Sequence, residues 1–127
     1  MNATALRTIL VVDDSLPVRR RLVDLIEDLP GVAVVGEAED ESEAIDLYRR
    51  FSPDVAILDI GLRSGSGIRV LEYIRLGGRK CQVIMLTNFG DTGFREQCVR
   101  SGADHFFLKS SEFSQVLDLL RSSGVAQ

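Results

Sequence analysis

The chain has 127 residues, 45% of them hydrophobic, with a formal charge of −4 and a pI near 5.0. That length holds one ordinary core, so residues 1–127 are expected to form one domain, and the acidic balance excludes a general nucleic-acid binder, which needs a basic face. Two cysteines, Cys81 and Cys98, are too few for a disulfide framework, and no stretch approaches the roughly 18 apolar residues of a membrane span; a soluble cytoplasmic protein is expected, with neither nucleic acid nor membrane as a direct partner.

Residues Met1 to Arg7 carry no apolar core followed by a cleavage site, so no secretory leader is expected. Thr8 to Val12 is a β-branched apolar run ending on Asp13 and Asp14, the pattern of a buried first strand. Ser15 can cap the next helix, Pro17 suits its first turn, and Val18, Leu22, Leu25, Ile26 and Leu29 recur at helical spacing until Pro30 and Gly31 stop it. Val32 to Ala38 reads as a second strand. Asp40 to Glu43 looks like a helix cap with Glu43 reaching back, and Ala44, Ile45, Tyr48 and Phe51 mark the apolar face of a second helix, closed by Pro53. Val55 to Leu58 is an unbroken apolar run suited to a strand covered on both faces, and it ends on Asp59.

A polar, glycine-rich loop from Gly61 to Gly67 precedes a third helix, which carries Ile68, Leu71 and Ile74 inward as far as Gly77 and Gly78. Cys81 to Leu86 gives a fourth strand ending on Thr87. Phe94 and Cys98, at i and i+4, mark a fourth helix between Asp91 and Ser101, with Gly102 as its stop. Ala103 to Leu108 is a last strand ending on Lys109. Phe113, Val116, Leu117 and Leu120 form the inner face of a closing helix, capped by Ser110 or Ser111. Such alternation of strand and helix implies right-handed βαβ units and a parallel sheet with helices on both faces.

Strand ends therefore bring Asp13, Asp14, Asp59, Thr87 and Lys109 to one rim, where open α/β sheets bind their ligands. Crowded carboxylates repel one another unless a cation sits among them, and a set of hard oxygens suits Mg²⁺. A lysine and a hydroxyl at the same rim can neutralise and bind an incoming anion, which makes Asp59 a candidate nucleophile toward a phosphoryl group. Taken singly, each residue has a plainer explanation: an acid at a strand end is commonly a cap, and a lysine commonly a solvated charge. Their joint placement is the signal.

Val11-Val12-Asp13-Asp14, Ile57-Leu58-Asp59, Met85-Leu86-Thr87 and the stretch from Gly102 to Lys109 carry a resemblance to a response-regulator receiver domain of two-component signalling, in its chemotaxis-type architecture. It extends from Ile9 to about Leu120. The resemblance implies a flavodoxin-like fold, a doubly wound five-stranded parallel sheet in the order 2-1-3-4-5. It implies Asp59 as phosphoacceptor with Lys109 and Thr87 as its catalytic partners. Mg²⁺, or alternatively Mn²⁺, would be held by Asp13, Asp59 and the carbonyl of Gly61, with Asp14 acting directly or through water. Thr87 and Phe106 would form the switch, the aromatic ring turning inward as the hydroxyl moves toward the phosphoryl group.

Implied partners are a histidine kinase or phosphotransfer protein, a downstream protein target reached through the last strand and its flanking helices, and a second copy as homodimer on phosphorylation. Apart from its own phosphorylation and dephosphorylation, no enzymatic activity is implied. Gly61 and Phe89, two residues beyond Asp59 and Thr87, are expected to set phosphoryl lifetime by admitting or orienting the attacking water. One lacks a polar group and the other is bulky and apolar, so slow loss is expected. The chain departs from the family at Arg63 and Ser110, where proline is usual, and at Asn88, where a small residue is usual. Ser110 removes the usual reason for a cis peptide after the lysine, since a non-proline cis bond costs about 2.5 to 4 kcal/mol.

Three rival readings use parts of the same set. A phosphorylation-silent receiver acting only as an interaction module would not need all five rim residues. A metal-dependent phosphatase would want a second acid two residues beyond Asp59, where Gly61 stands, and a flavin module would want a phosphate-cradling loop after the first strand. The single histidine, His105, reads as a strand residue, and the two cysteines as small buried hydrophobes. Arg19, Arg20 and Arg21 read as a solvated helix face, with docking of a kinase or phosphotransfer domain as the functional alternative.

Overall fold

A computed structural model describes residues 6–124, with side chains as far as Arg121; the expectation about a leader at Met1 to Ala5 lies outside the described residues. Five strands alternate with five helices: β1 Arg7–Val12, α1 Leu16–Glu27, β2 Val32–Ala38, α2 Glu41–Phe51, β3 Val55–Leu58, α3 Gly67–Leu76, β4 Gln82–Thr87, α4 Thr92–Arg100, β5 His105–Leu108 and α5 Phe113–Gly124. The sheet order is β2-β1-β3-β4-β5 and every pairing is parallel, as the alternation requires. One register shift falls between Ile9 and Leu10, opposite β2.

The strands sort their side chains by parity, because successive residues point to opposite faces. Leu10, Val12, Ala56, Leu58, Val83 and Met85 face α2, α3 and α4, where they meet Ala44, Tyr48, Val70, Leu71, Ile74 and Cys98. Ile9, Val11, Val55, Ile57, Ile84 and Leu86 face α1 and α5, against Leu22, Val23, Ile26, Val116 and Leu120. The three central strands are covered on both faces, which is why they read as unbroken apolar runs.

Side-chain caps set most helix starts. Ser15 Oγ accepts from the Val18 N–H at 3.4 Å, Asp40 Oδ1 from Glu43 N–H at 2.8 Å, Ser66 Oγ from Ile68 N–H at 3.0 Å and Asp91 Oδ1 from Phe94 N–H at 3.0 Å. Glu43 does reach back, its carboxylate accepting from the Glu39 N–H at 3.0 Å.

Four expectations need correction. The closing helix is not capped by Ser110 or Ser111, which lie in a turn; it begins at Phe113, and the preceding Glu112 accepts from the Leu108 N–H at 2.8 Å, tying the turn to the strand it leaves. Phe51 does not join the core: it ends α2 exposed, beneath the Arg50 guanidinium. Cys81 is buried but precedes β4 rather than opening it. The last strand starts at His105 instead of Ala103, because the Asp104 carboxylate turns back to accept from Val83 N–H at 2.8 Å and from Arg75 at 2.9 Å.

Candidate phosphoacceptor site

Asp13 and Asp59 each follow the last residue of a central strand, and because β1 and β3 are neighbours the two carboxylates stand side by side. Backbone bonds hold them there: Asp59 N–H donates to the Val12 carbonyl at 3.0 Å and Asp13 N–H to the Ala38 carbonyl at 2.9 Å. Both side chains are buried, at 3% and 6% exposure. Lys109 arrives from the far side of the sheet, its N–H on the Thr87 carbonyl at 2.9 Å. Its Nζ lies 2.6 Å from Asp13 Oδ2 and 2.7 Å from Asp59 Oδ2, so one ammonium bridges both acids. The other oxygens take backbone donors, Ser15 N–H on Asp13 Oδ1 at 2.8 Å and Ile60 N–H on Asp59 Oδ1 at 2.7 Å.

Asp14 is exposed and adds a third carboxylate; one oxygen from each of Asp13, Asp14 and Asp59 lies within 4.8 Å of the others. Burial pushes the Asp13 carboxyl above its ordinary value, and the hydrogen bonds from Lys109 and Ser15 only partly offset this. Burial alone would lower Lys109, yet its hydrogen bonds and charge attraction to Asp13 and Asp59 together hold it above its ordinary value. Three carboxylates against one ammonium leave a negative pocket of hard oxygen donors, and that donor set fits Mg²⁺.

Thr87 ends β4 fully buried, and its Oγ1 accepts from the Phe89 N–H at 3.2 Å. Phe106 is already turned inward, 7% exposed, with the Arg95 guanidinium 4.5 Å from its ring centroid. Phe89 stays half-exposed against Phe94, with ring centroids 5.6 Å apart. A Cβ on Gly61 would come 2.7 Å from Phe89 Cε2, so the two residues expected to govern phosphoryl lifetime touch each other. Gly67 is also constrained, since a Cβ there would fall on the Asp59 carbonyl oxygen. The Lys109–Ser110 peptide is trans.

Sequence reasoning missed two groups around this rim. Arg63 pairs with Glu39 at 3.2 Å and Asp40 at 2.8 Å, and its N–H donates to the Glu39 carbonyl at 3.1 Å. With Ser66 N–H on Glu41 at 3.1 Å, these contacts pin the loop after β3 to the loop after β2. Arg19 does not belong to a solvated face: it bonds the Asp13 carbonyl at 2.6 Å and Glu37 at 3.0 Å, fixing the backbone beside the acids. Arg21 covers the Phe113 ring, and only Arg20 is left as a plain exposed charge, so the arginine run is split three ways. Its adjacency in sequence gave no sign of that. His105 stacks on Phe107 at 5.9 Å, and both cysteines are buried, with burial pushing the Cys81 thiol up to about 11.

Residues 9–121 match the response regulator receiver domain family. The nitrate/nitrite response regulator protein NarP of Escherichia coli is 35% identical over 114 residues, 90% of this chain and 53% of NarP. The chemotaxis protein CheY of Listeria monocytogenes is 30% identical over 115 residues, covering 91% of this chain and 96% of that protein. Among solved structures, the CheX–CheY–BeF₃–Mg²⁺ complex from Borrelia burgdorferi superposes with a TM-score of 0.82 at 27% identity, over 94% of this chain and 90% of that one. The chain spans about half the length of the first curated relatives it matches, NarP among them at 53%.

Proposed function

The chain belongs to the response regulator receiver domain family, and from that premise we propose that it accepts a phosphoryl group on Asp59 from a histidine kinase or phosphotransfer protein. The observation that carries this reading is the Lys109 ammonium held 2.7 Å from Asp59 and 2.6 Å from Asp13, within a set of three converging carboxylates. Burying an ammonium and two carboxylates is costly, and their mutual pairing offsets that cost while leaving a net negative site for a cation.

Asp13, Asp14, Asp59 and the Gly61 carbonyl are the residues that would hold Mg²⁺, as receiver domains do in general. The ion would supply charge neutralisation for the acids and the incoming phosphoryl oxygens. In the transfer, an Asp59 carboxylate oxygen forms the new bond to phosphorus while the bond from phosphorus to the donor's imidazole nitrogen breaks, and the nitrogen leaves with the electron pair. Lys109 pairs with Asp59 beforehand; once that carboxylate has become an acyl phosphate, the same ammonium can pair with a phosphoryl oxygen. Thr87 Oγ1 already accepts one backbone N–H, which leaves its own O–H to donate toward the phosphoryl group. Movement of Thr87 would strain its bond to Phe89 and loosen the loop before α4, beside the inward ring of Phe106. Kinase contact, a downstream partner and phosphorylation-linked dimerisation belong to this proposal.

The test is intact mass after incubation with Mg²⁺ and acetyl phosphate. One phosphoryl group on the wild type and none on Asp59→Ala is expected, with the Asp59→Ala fold retained in circular dichroism. An unlabelled wild type would favour a silent interaction module; equal labelling of Asp59→Ala would move the acceptor to Asp13 or Asp14.

A further inference from the structure

A second surface lies at the opposite edge of the sheet from the acids. Helices of parallel βαβ units run against their strands, so the C-terminal ends of α2 and α3 sit beside the strand starts. There, between the caps Ser52 and Gly77, a cavity of about 500 Å³ opens over Tyr48 and Tyr73, whose rings meet edge to face at 6.2 Å. Leu76 stands at its lip 86% exposed, and Phe51 lies at the end of the same helix as Tyr48, 43% exposed. Leu76 and Tyr73 line the cavity together, so the apolar surface runs from its floor to its lip and is not a single scattered side chain.

The charge around the cavity contrasts with the chain's net −4. Arg49 and Arg79 line it, each followed in sequence by a further cation, Arg50 and Lys80; all four are exposed, and none enters an ion pair among the described residues. Arg49 and Arg50 in the last turn of α2 complement its dipole, which accounts for two of them. Arg79 and Lys80 lie past the end of α3, where that explanation does not apply. The Arg79 guanidinium instead covers the Tyr48 ring at 4.9 Å, and with Lys80 it also lines a neighbouring depression of about 560 Å³, where the acid in the lining, Asp104, is already paired with Arg75 at 2.9 Å.

From this combination we infer that the α2–α3 end is a docking surface for an acidic protein segment that inserts one large apolar side chain against Tyr48, Tyr73 and Leu76. Charge complementarity selects an acidic occupant. The apolar floor favours a peptide over a nucleic acid, because an acidic segment can carry a large apolar side chain into the cavity alongside its charges. An occupant here leaves Asp59 accessible, because the acids lie at the other ends of the strands. The inference stands independently of phosphorylation.

The probe is a short fluorescein-labelled peptide of aspartates and glutamates around one central phenylalanine, titrated with the intact chain and read by fluorescence anisotropy. Saturable binding is expected, with Leu76→Ser and Arg79→Glu each weakening it at least about fivefold and a serine in place of the phenylalanine doing the same. Both altered side chains are exposed, and unchanged melting of each variant establishes that it is folded. Absence of saturable binding, equal binding by the variants or by the serine peptide, or tighter binding of a single-stranded oligonucleotide of equal charge would overturn the inference.

Discussion

Lys109→Met tests the core of the site most directly, because one ammonium compensates two buried acids at once. Asp13 and Asp59 are 3% and 6% exposed, and Lys109 Nζ is their shared partner at 2.6 and 2.7 Å. Removing one partner of a buried ion pair costs about 3 to 5 kcal/mol, since the remaining charge is left uncompensated. For a domain of this size that corresponds to a melting point about 10 to 20 °C lower in metal-free buffer. Mg²⁺ should restore much of the loss, because an ion among the carboxylates replaces the missing charge and stabilises by mass action.

The deficit should also depend on pH. Asp13 already has a raised carboxyl value, so its burial favours the protonated form, and stability is lost as pH rises from the unfolded value toward the folded one. Without Lys109 that folded value rises further, so the variant should lie closer to the wild type at pH 5 than at pH 8. Urea melts at both pH values, with EDTA or with millimolar Mg²⁺, measure all of this. A variant as stable as the wild type in EDTA, or one that Mg²⁺ does not help, would refute the reasoning.

Other outcomes follow from the same geometry. In the wild type, Mg²⁺ should raise the melting temperature, and Asp13→Asn should blunt that rise; calorimetry with and without the ion reads both, and no shift in the wild type counts against the metal site. Gly61→Asn and Phe89→Glu should each speed phosphate release, followed by phosphate assay. Because a Cβ at position 61 runs into the Phe89 ring, Gly61→Asn combined with Phe89→Ala should fall short of the product of the single effects. If both single substitutions leave release unchanged or slower, missing water-positioning groups do not explain lifetime. Arg75→Ala removes donors to the Gly102 and Cys81 carbonyls and to Asp104; a loss of about 2 to 3 kcal/mol in denaturant melts is expected, with phosphorylation of Asp59 retained.

The sequence by itself determined the strands, because burial of the central three on both faces forces unbroken apolar runs, and the ends of those runs mark the residues at the sheet's rim, whereas the strand order came only through the family resemblance. Asp13, Asp59 and Thr87 were legible at the ends of those central runs, and Lys109 because it ends the last apolar run, in the edge strand β5; their chemistry is complementary enough to suggest a site from the sequence alone. Tertiary structure decided what happens where side chains choose among distant partners. Glu112 rather than a serine precedes α5 because Leu108 N–H is within its reach. Phe51 fits the helical period yet ends exposed at the last position of α2, with the Arg50 guanidinium over its ring. Arg19 leaves its neighbours to bond the Asp13 carbonyl and Glu37, Arg63 links two loops, and Gly61 meets Phe89. Periodicity records how much apolar surface each segment must bury. It carries no information about which polar group lies opposite across the fold, since that depends on how the ends of separate elements meet.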